Sequence, residues 1–203
     1  VALGDGNYVI EETGKISVID AGFNTLDSFF LDSGQSVNDV ISLGGGQFVA
    51  ALYKGTSIPN GTQRETTLQV LSFDGQTNSI SPGTSTSYSG TYQDIFEAPS
   101  HQIIVDTFEN ISELKLLPDG RFAAIFRVQD IQIDSDSPGT NVFTSETAVR
   151  IYDSSLTELN YQTVKADNWN VPDTYGSNTG TTYGILDIDT LDDGSIAIAM
   201  HSN

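Results

Sequence analysis

Apolar and polar positions along this chain fall into short bursts separated by glycine and aspartate, and four of the bursts repeat one phrase. The copies are Ala2-Leu3-Gly4-Asp5-Gly6-Asn7-Tyr8-Val9, Ser42-Leu43-Gly44-Gly45-Gly46-Gln47-Phe48-Val49, Leu116-Leu117-Pro118-Asp119-Gly120-Arg121-Phe122-Ala123 and Thr190-Leu191-Asp192-Asp193-Gly194-Ser195-Ile196-Ala197. Each holds a leucine, a tight Gly/Asp turn and an apolar residue that opens an apolar run, which predicts a β-hairpin. The anchoring glycines Gly6, Gly46, Gly120 and Gly194 stand 40, 74 and 74 residues apart. Self-similarity on that scale signals a repeat architecture.

The second copy reads as a strand over 39–43, a turn at 44–46 and a returning strand over 47–53. A loop over 54–66, rich in Gly, Ser, Thr, Asn and Pro, is expected next. Leu68 to Asp74 then alternates apolar and polar as a half-buried strand does, with a weaker strand near 77–80. The third copy keeps this order: strands over 111–117 and 121–128, a loop over 134–147, and a strand over 148–153. The matching strand of the first copy covers 16–20. All three of these strands end in aspartate, at Asp20, Asp74 and Asp153. A carboxylate there can accept backbone N–H bonds two residues on and start the turn; a metal ligand is the other reading.

Strand, turn, strand, loop, a strand ending in Asp and a weak outer strand is the order of a propeller blade. The expectation is therefore an all-β chain of β-propeller-like antiparallel blades: about three repeats plus a terminal hairpin in a single β-repeat domain spanning 1–203. The repeats fall roughly at 1–36, 37–108, 109–183 and 184–203. The 74-residue interval exceeds the ~40–50 usual for such blades, and the excess is assigned to polar loops over 81–100 and 164–182. Three repeats and a hairpin fall short of four to eight blades, so a segment of a larger propeller is expected.

Composition narrows the partners. With 8 basic and 27 acidic side chains, the formal net charge is −19. Nucleic acid is disfavoured, because binding a phosphate backbone needs Lys and Arg to displace counterions. Anionic membrane surfaces are disfavoured for the same reason. Cations, Ca²⁺ above all, are favoured, as is plain solubility. The chain has no cysteine, so it carries neither a disulfide framework nor a thiolate zinc site. No apolar run approaches the ~20 residues of a membrane span. Val1 opens directly inside a repeat, as expected of a mature or trimmed segment of an exported bacterial protein.

The phrase Leu-x-Asp/Gly-Gly-x-aromatic-Val/Ala resembles the repeats of very large secreted bacterial proteins of the RTX and adhesin type. In those, a Leu-x-Asp-Gly-Gly-Phe-Val-Val motif precedes a tryptophan-bearing strand and a later strand that ends near Asp. The likeness covers the four hairpins and the three third strands, about half of the chain. The chain departs from it where tryptophan is expected, since Leu52, Phe126 and Met200 occupy that region. The glycine-rich nonapeptide that binds Ca²⁺ in RTX rolls is missing too, so calcium does not come with the resemblance. What the resemblance implies is an extracellular, surface-associated repeat module.

Candidate chemistry is sparse. Asp39, Glu113 and Asp187 each lie four residues before a hairpin leucine, which puts acid and leucine on one strand face. On the innermost strands of a propeller they would converge as a carboxylate ring suited to a hard cation; as strand-entry acids they would face solvent. Asp134-Ser135-Asp136-Ser137-Pro138-Gly139 starts like a calcium loop, yet Pro138 and Ser145 break the EF-hand template, leaving a surface Ca²⁺ site or a solvated turn. Trp169, the only tryptophan, lies among Asn168, Asn170 and Tyr175 in a polar stretch that would suit stacking on a sugar; packing under a loop explains it equally. The two histidines, His101 and His201, form no nucleophile motif with the serines. These readings favour an extracellular binding or structural module for adhesion or matrix association, stabilised by Ca²⁺ and directed at a carbohydrate or cell-surface ligand. The rival expectation is a propeller-fold hydrolase or lyase acting on a polysaccharide or phosphoester.

Overall fold

Within each sheet the strand order follows the chain, and every pairing is antiparallel. The computed structural model describes residues 1–97, 100–133, 141–171, 183–191 and 195–202. A first unit consists of β1 (Ala2–Gly4), β2 (Asn7–Glu12), β3 (Lys15–Ile19) and β4 (Thr25–Phe30). A second holds β5 (Gln35–Gly44), β6 (Gln47–Ile58), β7 (Gly61–Asp74) and β8 (Ser79–Glu97). A third holds β9 (Ser100–Leu116), β10 (Phe122–Ile133), β11 (Asn141–Tyr152) and β12 (Glu158–Val171), and the hairpin β13 (Tyr183–Thr190) and β14 (Ile196–Ser202) follows. The far end of β8 pairs with the start of β9, from Tyr92 opposite Val105 to Glu97 opposite Ser100, which joins units two and three into one eight-stranded sheet.

The units stack face against face. One core joins Val9, Ile16 and Val18 of the first unit to Phe48, Ala50, Leu52, Leu71 and Phe73 of the second. The opposite face of the second unit, with Val49, Ala51, Leu68 and Val70, packs on Ile111, Phe122, Ala124, Phe126 and Tyr152 of the third. Ala123, Ile125, Val149 and Ile151 on the third unit's other face meet Ile188 and Ile198 of the last hairpin. Burial on both faces is why Phe48-Val49-Ala50-Ala51-Leu52 and Phe122-Ala123-Ala124-Ile125-Phe126 read as unbroken apolar runs instead of alternating. The alanines in both runs let neighbouring sheets approach while the aromatics fill the space between them. The all-β, repeat-like architecture expected from the sequence is present, and among the described residues the sheets do not close into a barrel or ring.

The polar stretches differ from expectation. Positions 54–66 form a continuous hairpin, with β6 and β7 paired from Ile58 opposite Gly61 back through Gly55 opposite Arg64, and Asn60 at φ 59° in the turn. Strand β8 covers most of the expected loop over 81–100, β11 begins at Asn141, and β12 runs on to Val171. Thr and Tyr recur over 81–97 and Thr over 141–147, and both favour the pleated backbone. These segments lack the usual strand alternation because hairpin arms such as 54–64 lie largely in solvent, where no apolar face is required.

The three strand-ending aspartates hold their turns. Asp20 Oδ1 accepts the N–H groups of Gly22 and Asn24, Asp74 accepts Gln76 N–H and the Thr77 hydroxyl, and Asp153 Oδ1 accepts the N–H groups of Ser155 and Thr157. Their pKa values are lowered, chiefly by the Asn24 side chain at Asp20, the Gln76 N–H at Asp74 and the Ser155 hydroxyl at Asp153. The hairpin turn of the second unit is tied in similarly: Gly46, at φ 79°, accepts Phe73 N–H at 2.8 Å, and a Cβ on it would lie 2.5 Å from Phe73 O.

Two expected outcomes follow from these turns. Gly6→Ala, where the added Cβ meets open space, should cost about 1–2 kcal/mol for the left-handed backbone alone. Gly46→Ala should cost about 1–3 kcal/mol more, because the methyl group must displace the Phe73 carbonyl; urea unfolding of the two variants checks the difference, and equal losses would refute it. The second outcome concerns acid. Carboxylates whose folded pKa is depressed contribute stability that is fully present above the unfolded value and is lost as pH falls through the folded one. The thermal midpoint should therefore hold from neutrality to about pH 4 and fall below it, and a triple Asp20→Asn, Asp74→Asn, Asp153→Asn variant should show a shallower decline.

Candidate functional site

The three acids singled out from the sequence occupy one repeated register. Asp39 on β5 lies opposite Ala51, Glu113 on β9 opposite Ile125, and Asp187 on β13 opposite Ala199. Residues directly opposite share a sheet face, and Ala51 and Ile125 belong to the faces turned toward the following unit. Asp39 is half-buried and reaches across that gap. Its Oδ2 accepts Leu114 N–H at 2.7 Å while Oδ1 accepts Val40 N–H at 2.8 Å. Glu113 is exposed. The register thus repeats, but the carboxylate that is described in detail binds backbone amides, joining unit two to unit three. Next to it Asn38 Nδ2 donates to Ile111 O at 2.8 Å and to Asn110 Oδ1 at 3.1 Å, so two successive β5 residues clasp β9. Among the described residues no three His, Asp or Glu side chains gather so as to hold a metal ion. Asp134 and Asp136 lie outside the described residues.

Asn168, Trp169 and Asn170 are strand residues, not loop residues. They pair with Thr144, Phe143 and Val142 near the end of β12, which is the edge strand of the eight-stranded sheet. Tyr175 lies outside the described residues. An edge strand leaves one row of backbone N–H and C=O groups unpaired, a different presentation from the loop platform expected.

A cluster not anticipated from the sequence lies where units two and three meet. Arg150 Nη2 donates to both carboxylate oxygens of Glu109, each at 2.6 Å, and Nη1 donates to Glu158 Oε2 at 2.8 Å. The guanidinium also lies 4.8 Å from the Tyr88 ring centroid and 5.0 Å from those of Phe126 and Tyr161. Tyr88 from the second unit hydrogen-bonds through its hydroxyl to that of Tyr152 in the third, and it packs edge-on against Phe126. Burial opposes the charge of Arg150, but the Glu158 hydrogen bond and the field of Glu109 outweigh it and raise the pKa. Burial first, then the Tyr88 hydrogen bond, pushes the Tyr152 phenol far above its ordinary range, so it stays protonated at neutral pH. Ion-paired with Glu109 and Glu158 inside the third unit, Arg150 touches the second unit through the Tyr88 ring. Its only sequence signal is a charged residue at an inward position of the third strand, in Ala148-Val149-Arg150-Ile151-Tyr152.

No protein-family model, curated protein or solved structure matches this chain. Among the described residues no helix is long and apolar enough to cross a membrane. What the fold and the clusters define is a class: an acidic all-β repeat protein whose stacked antiparallel sheets are clasped by side chains reaching from one unit to the next.

The clasp gives a test. Asp39→Ala leaves the buried Leu114 N–H without its acceptor and should cost about 1–3 kcal/mol. Asp39→Asn keeps an acceptor oxygen and should cost clearly less. Urea unfolding of both in EDTA separates amide clasping from metal ligation, since a metal ligand's loss would be silent there.

Proposed function

We propose that the chain is a β-propeller-type structural and binding module that works outside the cell, in adhesion or in association with a surface or matrix. The observation that supports this reading is how the described acids are used. Every described carboxylate with a displaced pKa (Glu12, Asp20, Asp74, Asp119 and Asp153) is shifted downward by hydrogen bonds within turns and hairpins. A general acid working near neutral pH calls for the opposite shift. Such a chain spends its charge on rigidity and solubility, and it displays polar hairpin arms and an edge strand bearing Asn168, Trp169 and Asn170. A carbohydrate or another surface polymer fits that display, with backbone groups and amides meeting hydroxyls and the indole meeting a sugar face. Calcium enters through Asp134 and Asp136, whose alternate spacing offers oxygen ligands to a hard cation.

Thermal unfolding in EDTA and then in excess Ca²⁺, combined with retention on immobilised polysaccharides, tests the reading. Saturating Ca²⁺ at about 100 times its dissociation constant should add ~2.7 kcal/mol, and Asp134→Asn with Asp136→Asn should abolish that gain. Trp169→Ala should release the protein from the polysaccharide that retains it. A midpoint indifferent to Ca²⁺, together with no retention on any polysaccharide, would sink the proposal.

A further inference from the structure

Strand β8 changes partners along its length. β7 runs beside it from Ser79 to Gln93, and β9 joins its other side only from Tyr92 to Glu97. Phe73 N–H donates to Gly46 O on the β6 side, so by the alternation of an antiparallel ladder β7 bonds β8 through its even-numbered residues. Thr86, Tyr88 and Gly90, opposite Leu68, Thr66 and Arg64, therefore bond β7. Ser85, Ser87, Ser89 and Thr91 turn their N–H and C=O groups outward. Lower down the same edge is closed, because Asp27 Oδ2 accepts Ile80 N–H at 2.7 Å and Pro82 has no N–H to offer. Among the described residues no strand pairs with the outward groups from Ser85 to Thr91.

An open edge is normally guarded by charge. Edge strands β4 and β5 carry Asp27 and Asp39, and β12 carries Glu158, Lys165 and Asp167. From Ser79 to Gln93, β8 carries no charged residue at all, in a chain of net charge −19. The third unit also roofs this edge. β9 lies over β5, since Asp39 and Asn38 bind Leu114 N–H and Ile111 O. β11 lies over β8, since Arg150 stands 4.8 Å from the Tyr88 ring and the hydroxyls of Tyr88 and Tyr152 are hydrogen-bonded. β12 is the next strand outward, so it projects past β8 by one inter-strand spacing, ~4.8 Å. Tyr161, opposite Arg150, and Glu158, opposite Tyr152, share the face turned toward the second unit. The second unit has no strand beyond β8 to place beneath them, and Tyr161 is 43% exposed. Arg150 engages Glu158 through Oε2, which leaves Oε1 as the oxygen a further cation can use. The edge of β8 and the overhang of β12 thus form a shelf one strand wide, built from interior strands of the chain.

We propose that this shelf takes an extended basic peptide segment of a partner protein, which adds to β8 as a further strand. Main-chain hydrogen bonds to Ser85, Ser87, Ser89 and Thr91 supply the pairing, as in β-strand addition generally. Every second side chain of the guest faces β12. A lysine or arginine there lies against the Tyr161 ring and within reach of Glu158. The net charge of the chain attracts a cationic segment and repels an acidic one. A second copy of this chain fits less well, because two such edges meeting about a twofold axis would bring both overhangs over the same strands. The inference uses neither calcium nor a sugar, so it stands or falls apart from the proposed role.

Fluorescence anisotropy with a labelled alternating Thr/Lys peptide, as long as the open stretch, tests it against an alternating Thr/Glu peptide. The Thr/Lys peptide should bind saturably, and more weakly as salt is raised; the Thr/Glu peptide should not bind. Tyr161→Ala should weaken binding about tenfold. Ser87→Pro, which removes an outward N–H that an edge strand can spare, should abolish binding with the β-sheet circular dichroism unchanged. Two further Thr/Lys peptides, N-methylated on one or the other alternate set of amides, decide the matter should Ser87→Pro lose its sheet signal. One should bind like the parent and the other should fail, because only one set faces β8. Amide exchange should show Ser85, Ser87, Ser89 and Thr91 becoming protected when the peptide is added, with Thr86, Tyr88 and Gly90 protected throughout. Failure of the Thr/Lys peptide to bind, equal binding of the Thr/Glu peptide, or equal behaviour of the two methylated peptides would overturn the proposal. So would protection of those four amides that rises with protein concentration in the absence of peptide, the mark of a second copy.

Discussion

Burial on both faces of the inner strands is the constraint on which the rest of this molecule depends. A strand such as Phe48-Val49-Ala50-Ala51-Leu52 cannot rest with one side in water, so the second and third units each need a neighbour in front and behind. Large-to-small losses in such positions cost about 3–5 kcal/mol for an aromatic residue, comparable with a good part of the stability of an ordinary domain. Stacking is therefore no decoration added to independently stable sheets.

Once stacking is imposed, the polar groups at the sheet margins have to be matched across the gaps. Asp39 and Asn38 bind β9 backbone groups; Asp27 Oδ2 accepts Ile80 N–H at 2.7 Å between the first two units. At the margin between the second and third, Arg150 is held by two carboxylates of its own unit and lies against the Tyr88 ring of the second. An acidic chain with few cations places one of them where a single guanidinium meets two acids and an aromatic wall. A lysine could not replace it, because the ammonium lacks the planar fork that grips Glu109 with two bonds and lies flat on the rings.

The sequence made the skeleton legible and the seams not. Hairpins at Gly6, Gly46 and Gly120, apolar runs after them and aspartates closing the third strands are local features, and local chemistry decides them. The arms over 54–66 and 81–97 were hidden because a solvated hairpin needs no apolar period, and Gly, Ser, Thr and Asn there read equally well as loop. The role of Asp39 was hidden for another reason. Its spacing from Leu43 gives the strand face, but only the stacking shows that Asp39 meets Leu114 N–H there. Arg150 likewise carries no meaning until Glu109, 41 residues earlier, is brought beside it.

The strict sequence order of the strands carries one more consequence, for how the molecule is made. Every strand finds its pairing partner immediately before or after it in the chain, and each unit meets the one synthesised just before. Few contacts have to wait for distant segments, which keeps the loop-closure entropy of each step small. The chain can condense progressively from its first hairpin, each emerging unit finding a finished surface waiting, in the manner of linear repeat arrays. The clasp from Asp39 to Leu114 spans 75 residues, with the turn at Gly46 and the whole of the second unit between its partners, so its closure costs more chain entropy than any hairpin's.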